Sequence, residues 1–491
     1  MLTIIRTFIR ELNTQNITYC HWKSNFALAE ALAGQTDIDV LIHRRDADLF
    51  RTLLSQLQFR PALATDGDAF PAVEHYYALD EESGILVHVH AYYRVITGES
   101  LAKNYHFPIE EMLLQNTREV DSVRLPLKSV ELIVFTLRMM LKHTTPMELV
   151  MLARYWKEVR HEMNWLLESD SIEETLRFLN CWLPTVDTDL FSDCVKALRS
   201  SSTLWQRMIL GRRLRSQLKS YARHSPLRAW LIGFHKFVIM FSRRLTKAQK
   251  GMVFRGGGAV IAFVGSEATG KSTLISEMKE WLGEHFAVEQ IHAGKPKATL
   301  LTVVPNVLLP SLRALFPTAR TTNVETQRVP KEVSEKSEGR YPLIFAIRSV
   351  LLAHDRRALL TGAYSQAANG TVVLCDRYPS ARSGAPDSPQ LSHLPISSNG
   401  NSLRSLLAGI EKRMYEEIPA ADLIIYLNAP LEITLERNAN RGKREPEDYV
   451  RRRHARSSNL EFEATPVYKI NTDQPFDQTV FEVKKAIWES L

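Results

Sequence analysis

The sequence predicts an α/β multidomain protein, and three stretches of pattern predict it. Over residues 1–125 helical and strand patterns alternate. Over 126–250 the pattern is helical almost throughout. After Arg255-Gly256-Gly257-Gly258 it changes to strand, Gly-rich loop, helix, strand, helix, strand, the signature of a parallel sheet with crossover helices. The expected layout is an α/β unit at 1–125, a helical segment at 126–250 and a parallel-sheet domain at 251–491. A chain of 491 residues has room for three such parts at roughly 150 residues each.

In the first unit, Ile4, Ile5, Phe8, Ile9 and Leu12 fall on one helical face, and Leu49, Phe50, Leu53, Leu54 and Leu57 on another. The short, β-branched runs "DIDVLI" and "GILVHVHAYY" read as strands. In the middle segment "SVELIVFTLRMMLKH" and "ELVMLARYWKEVRHEMNWLL" carry apolar stripes without strand punctuation. Hydrophobic residues make up 45% of the chain and charged residues 24%, a globular composition that excludes a disordered scaffold. The longest apolar runs, "AWLIGFHKFVIMF" and "LLTVVPNVLLPSL", are 13 residues each and are broken by His235 and Lys236 or by prolines, so no transmembrane helix is expected. With Glu11 early and no small-residue cleavage site, the N-terminus is unlike a secretory signal, and a cytoplasmic location is expected. Cys20, Cys181, Cys194 and Cys375 have no close paired spacing, which argues against a disulfide framework and a zinc ribbon.

The net charge of +7 is concentrated in one place. From Cys194 to Ser266 there are fifteen Lys or Arg and no acid, which leaves the rest of the chain net acidic. Trp230, Leu231, Ile232, Phe234, Phe237, Val238 and Phe241 lie among these cations, a mixture that suits peripheral contact with an anionic membrane surface. The same segment can equally pack between domains with its charges solvated. No reading motif accompanies the charge, which makes nucleic acid the weaker partner.

The chemistry concentrates at the start of the third domain. "AVIAFV" (259–264) has a buried-strand pattern, and "GSEATGKS" (265–272) follows at once, then a helix with Leu274, Ile275, Met278, Trp281 and Leu282 on one face. This is a phosphate-binding loop in its required context. Gly265 and Gly270 let the backbone of Ser266, Glu267, Ala268 and Thr269 wrap so that N–H groups and the helix start at Thr273 face phosphate oxygens. Lys271 then reaches the terminal phosphates of ATP and the Ser272 hydroxyl is placed to bind Mg²⁺. "TVVLCDRYP" (371–379) supplies a carboxylate, Asp376, at the end of a further strand, with Arg377 beside it to clamp the phosphate of an acceptor. "LLAHDRRALL" places Asp355 and Arg356 on the preceding helix. "ADLIIYLNAP" reads as another strand, from which Pro430 opens a cation-rich helix, "LEITLERNANRGKREPEDYVRRR".

With these segments in view, 259–491 resembles the thymidylate kinase family of P-loop kinases. The resemblance is carried by "GSEATGKST", "LLAHDR", "VVLCDRYP", "LIIYLNAP", the "ERNANRGKRE" lid region and the ending "YKINTDQPFDQTVFEVKKAI". It implies that Asp376 organises Mg²⁺ and the acceptor, that Arg377 and Arg356 hold the acceptor's phosphate, and that Arg437, Arg441 and Arg444 close over ATP. It also implies a dimer. The loop interior Ser-Glu-Ala-Thr lacks a basic residue, which points to the lid as the source of the catalytic cation. Where the family carries an Arg-Glu-Pro-Gly-Gly loop, this chain has "IHAGKPKATLLTVV" and an insertion to about 342. "SARSGAPDSPQLSH" replaces the expected Tyr-Gln-Gly contact to the base. Thymine recognition is therefore not expected.

Asp37 and Asp39 stand two apart on a strand, so both carboxylates face one side and suit a divalent metal. Together with Ser24 in "HWKSN" they resemble the Gly-Ser plus Asp-x-Asp arrangement of DNA polymerase β-like nucleotidyltransferases over roughly 15–100. Lys23 stands where a Gly is expected, and His88 and His90 occupy the strand face that should carry a third acid. The expected function is ATP- and Mg²⁺-dependent phosphotransfer to a small-molecule acceptor, a nucleoside monophosphate or a phosphorylated or sugar-type metabolite. Resemblance associates similar fusions with surface-polysaccharide pathways. Nucleotidyl transfer by the first unit, and a non-catalytic nucleotide-sensing switch, are the alternatives.

Overall fold

In the computed structural model the apolar face of the first helix, α1 (Thr3–Thr14), buries Ile5, Phe8, Ile9 and Leu12. Its end is specified locally. Asn16 adopts a left-handed φ of 54°, and the amides of Asn16 and Ile17 donate to the carbonyls of Asn13 and Leu12. This is the paired closure that lets a chain leave a helix without orphaned carbonyls. The next long helix, α2 (Ala47–Gln56), ends the same way through Gln58 at φ 59° and the amide of Phe59 on the Leu54 carbonyl. The structure describes residues 1–65, 70–99, 101–142, 146–168, 172–199, 204–246, 251–299, 302–303, 343–393, 403–440, 442, 444–457, 460–462 and 465–491.

The chain divides into two compact units, Met1–Gln249 and Lys250–Leu491. In the first, strands β1 (Tyr19–His21), β2 (Ile38–Ile42), β3 (Arg60–Ala64), β4 (Val73–Leu79) and β5 (Leu86–Tyr92) are ordered β1-β2-β5-β4-β3, with only β2 and β5 parallel. Side-chain alternation assigns the two faces. Ile38, Val40 and Ile42 join Phe8, Leu12, Phe50 and Leu53 in one apolar cluster. Leu41 and Tyr92 join the other, which continues into the helices of the 126–250 segment. There α3 (Lys128–Lys142) is buried on nearly every side, its Ser129, Glu131 and Thr136 included. It lies against α4 (Pro146–Leu167), α5 (Ile172–Trp182), α6 (Thr188–Arg199) and α7 (Leu204–Gln217). The unit expected at 1–125 and the helices expected at 126–250 thus share one core. The basic stretch forms α7 and α8 (Pro226–Thr246). No helix among the described residues is long and apolar enough to cross a membrane.

The second unit holds an all-parallel sheet. Its strands are β6 (Val260–Gly265), β7 (Val288–His292), β8 (Val372–Asp376), β9 (Leu423–Asn428) and β10 (Val467–Asn471), in the order β7-β8-β6-β9-β10. The chain leaves β6 toward β7 at one edge and later leaves β8 toward β9 on the opposite side. The direction of winding therefore reverses between β6 and β8, and ligands of open α/β sheets bind outside the carboxyl ends of the strands at such a point. The single helix expected after Pro430 is instead two, α12 (Leu431–Ala439) and α13 (Glu447–Ser457). Pro446 has no N–H to continue a helix and its ring clashes with the preceding turn. Its carbonyl accepts the amides of Tyr449 and Val450, so it starts α13. Asn438 closes the break through its side chain, donating to the Glu445 carbonyl at 2.8 Å and accepting the Glu445 amide at 3.1 Å. The other helices of this unit are α9 (Lys271–Gly283), α10 (Leu343–Ala368), α11 (Leu403–Glu416) and α14 (Phe476–Ser490).

Candidate active site

Strand β6 delivers the chain to the reversal point, and the loop 265–270 turns it into α9. At Gly265 φ is +143°, and a Cβ there would stand 2.3 Å from the Leu427 carbonyl oxygen of β9, so only glycine lets the two strands pack. Gly270 caps α9 with φ +86°. Lys271, the first residue of α9, is buried and folds back over the loop. Its Nζ donates to the Gly265 carbonyl at 3.2 Å and the Ser266 carbonyl at 2.5 Å, with Thr269 Oγ1 at 3.4 Å. The Thr269 hydroxyl in turn donates to the Ser266 carbonyl at 2.9 Å. Burial pulls the Lys271 ammonium down to about 8 although Glu267 opposes it. Ser272 and Thr273 are exposed in the first turn of α9, where helix N–H groups have no intrahelical acceptor.

Asp376 ends β8 opposite Phe263 of β6 and beside His292 of β7. Its Oδ1 is buried and has no hydrogen-bond partner among the described residues. An unpartnered buried carboxylate oxygen is costly unless something cationic meets it. Arg377 follows in a left-handed conformation, φ 73°, with its amide donating to the Phe263 carbonyl. That turn carries its side chain back over Gly294, where a Cβ would lie 2.6 Å from Arg377 Cδ.

Arg377 belongs to a cluster. Its guanidinium meets Glu267 at 2.9 Å and Asp387 at 3.5 Å. Arg453 of α13 pairs with the same two acids, at 2.9 Å and 3.9 Å. Arg356 of α10 is 2% exposed and its donors are spent on protein: Nε on the Ala293 carbonyl at 2.7 Å, Nη1 on the Asp387 carbonyl at 2.8 Å and on the Tyr415 hydroxyl, and Nη2 on Asp387 Oδ1 at 3.2 Å. Burial opposes ionisation of Asp387, but the guanidiniums of Arg356, Arg377 and Arg453 outweigh it and hold the carboxyl below its ordinary range. Asp355, next to Arg356, accepts from the Thr299 amide and the Thr302 hydroxyl and so ties α10 to the loop after β7.

The lid arginines are spread out. Arg437 donates to the Thr472 hydroxyl at 3.1 Å and its carbonyl at 2.7 Å. Arg444 is exposed in the α12–α13 connection, and Arg441 lies outside the described residues, as does most of the insertion before 342. Sequence reasoning passed over Arg453 and Asp387. The three adjacent arginines of "YVRRR" look alike as text, and the signal separating them is helical phase: Val450, Arg453 and Ser457 are the buried positions, three and four apart. Next to Arg453, His454 lines a cavity of about 840 Å³ with Tyr426, Asn428, Phe462 and Lys469.

In the first unit Asp37 and Asp39 do face one side, and both are engaged. Asp37 meets His88 at 2.8 Å and His90 at 3.6 Å; Asp39 meets Lys23 at 2.8 Å and His90 at 3.2 Å. Burial disfavours the charge on Asp39, yet Lys23 and His90 hold its carboxyl far below the ordinary range. Lys23, at the place of an expected glycine, thus supplies the counter-charge that a metal would bring. Ser24 is left-handed at φ 60°. His75 joins His88 and His90, and nothing in the local pattern of "VEHYYAL" announces it.

No family model matches the chain, and no curated protein matches it. Among solved structures the chain is similar to thymidylate kinase from Candida albicans, at 14% identity over 48% of this chain and 90% of that one, with a TM-score of 0.26. It is likewise similar to deoxyadenosine kinase from M. mycoides with bound dATP, at 14% identity over 46% and 97%, also with a TM-score of 0.26. Similarity at that level carries no residue assignment.

Proposed function

We propose that the Lys250–Leu491 unit is an ATP- and Mg²⁺-dependent phosphotransferase whose acceptor is a phosphorylated small molecule. The observation that carries this reading is the pairing of a buried Lys271, folded over its own glycine loop, with Asp376 Oδ1 one strand away, which has no partner among the described residues. The backbone of Gly265, Ser266, Glu267, Ala268, Thr269 and Gly270 and the first turn of α9 at Thr273 cradle the phosphates. Lys271 exchanges two carbonyl partners for phosphate oxygens. The Ser272 hydroxyl and Asp376 hold Mg²⁺, which when bound neutralises charge on the phosphates.

Around this point Lys271, Arg356, Arg377 and Arg453 face Glu267, Asp376 and Asp387, an excess of positive charge before any metal is added. Arg377 and Arg453 clamp the acceptor's phosphate by exchanging Glu267 for it. Arg356, buried with four of its five N–H donors engaged, positions Asp387 instead. Arg441 and Arg444 close over the nucleotide from the α12–α13 connection. The cavity beside α13 has the size of a small-molecule site.

Full-length protein incubated with γ-labelled ATP, Mg²⁺ and a panel of nucleoside monophosphates and sugar phosphates tests this. Label should pass to an acceptor other than thymidylate and fall at least about 100-fold in Lys271→Ala, the loss of one preorganised charge contact. ATP binding without transfer to any acceptor would favour a nucleotide-sensing role. No ATP binding would refute both.

A further inference from the structure

We propose that His75, His88 and His90 are the ligands of a divalent cation of the zinc class, with Asp37 and Asp39 orienting the imidazoles rather than binding the ion. The site lies wholly within the first unit and is independent of the phosphotransferase reading.

The sheet assembles it. Residues two apart on a strand share a face, so His88 and His90 of β5 point the same way. Antiparallel register sets His75 of β4 opposite His90 and Tyr77 opposite His88. Parallel register sets Asp39 of β2 opposite His90. The rings of His88 and His90 are 4.1 Å apart and those of His75 and His90 4.5 Å. One ring nitrogen from each histidine lies within 4.8 Å of the other two.

The hydrogen bonds to carboxylates fix which nitrogen of His88 and of His90 faces the acids. Nδ1 of His88 is 2.8 Å from Asp37 Oδ1, and Nδ1 of His90 is 3.2 Å from Asp39 Oδ1. An ionised carboxylate only accepts, so each Nδ1 carries the proton, and in the neutral ring that leaves Nε2 as the nitrogen that ligates. Carboxylate–histidine pairs of this kind are the usual outer support of metal-bound imidazoles. His88 Nε2 then faces Nδ1 of His75 at 3.2 Å. Bonds of about 2.0–2.1 Å place tetrahedral ligand atoms roughly 3.4 Å apart, so this pair already has the spacing and the third nitrogen, within 4.8 Å of both, has at most about 1.4 Å to close. The Tyr77 ring stacks on His88 at 4.1 Å and 8° and fixes its plane.

The donor set also selects the ion. Magnesium takes carboxylates and water, but the oxygens of Asp37 and Asp39 already meet two imidazoles and the Lys23 ammonium. Three imidazole nitrogens suit zinc and its neighbours. Three protein ligands leave a fourth position open to water or a small ligand, and the Asp37 side chain, 46% exposed, brings solvent to the rim.

The test uses the full chain with Cys181→Ser, which removes the exposed thiol, stripped with chelator and titrated in turn with Zn²⁺, Co²⁺ and Mg²⁺. One equivalent of Zn²⁺ should bind, and Co²⁺ should give the visible bands of a tetrahedral site. Affinity should fall more than 100-fold in His75→Gln and in His88→Gln, fall 10–100-fold in Asp37→Asn, and stay unchanged in Lys271→Ala. Circular dichroism checks each variant, and if one histidine variant does not fold, the other and the wild-type Co²⁺ spectrum decide. Absence of stoichiometric Zn²⁺ binding, Zn²⁺ binding unchanged in a folded histidine variant, or Mg²⁺ bound in preference to Zn²⁺ through Asp37 would overturn the site.

Discussion

A buried acid shows how one side chain sets a pH response. Glu131 of α3 is 2% exposed, with the Asn25 amide at 3.3 Å as a weak donor, and burial pushes its carboxyl up from 4.5 to about 7. Between those values the folded chain keeps a proton that the unfolded chain has released, so stability falls as pH rises through that window. Glu131→Gln removes this slope. Denaturant titration should find the variant similar to the wild type below pH 4.5 and more stable above pH 7, by up to about 3 kcal/mol. A wild-type stability flat from pH 5 to 7.5 would contradict the burial assigned to Glu131. Such a residue is hard to pick out in the sequence, because "SVELIVF" looks amphipathic until the helices packed around α3 close over its polar face.

At the scale of elements, strand, loop and helix of the proposed phosphate site are legible in the sequence because the information is local. Gly265 and Gly270 stand where φ is positive, and Lys271 and Asp376 follow strands of unambiguous pattern. Pro446 also marks the α12–α13 break locally, although the cation-rich run around it reads as one helix. What the sequence withholds is non-local. Arg453 and Asp387 meet only because α13 and the loop after β8 converge on Glu267, and His75 reaches His88 and His90 only through the β4–β5 register. Helix α8 is a further case. Leu227, Trp230, Leu231, Phe234, Val238 and Phe241 are all exposed and share one face by their spacing of three, four and seven, so the interleaved pattern resolves into a stripe. An apolar stripe among cations suits the boundary of an anionic bilayer. Sedimentation with anionic vesicles should exceed that with neutral ones and weaken with salt, and Trp230→Ser with Phe234→Ser should abolish the difference. Equal sedimentation with both vesicle types would remove the membrane from the account.

For the whole molecule, the chain divides into two compact units and each of the two proposed sites lies within one of them, which predicts separable responses. A ligand stabilises only what it binds, by about 2.7 kcal/mol at a hundredfold excess over its dissociation constant. Calorimetry should therefore resolve two transitions, of which ATP with Mg²⁺ raises one and Zn²⁺ the other. A single transition moved by both ligands would mean that the units unfold together.

The claim on which the functional account rests is that Asp376 holds the metal for phosphotransfer at the end of β8. Single-turnover transfer from Mg²⁺-ATP, to the acceptor found in the panel or to water, measures it directly in Asp376→Ala. The account predicts a fold intact by circular dichroism and a rate at least about 100-fold lower, near 3 kcal/mol of lost transition-state stabilisation. A folded Asp376→Ala protein that keeps most of the wild-type rate would contradict it.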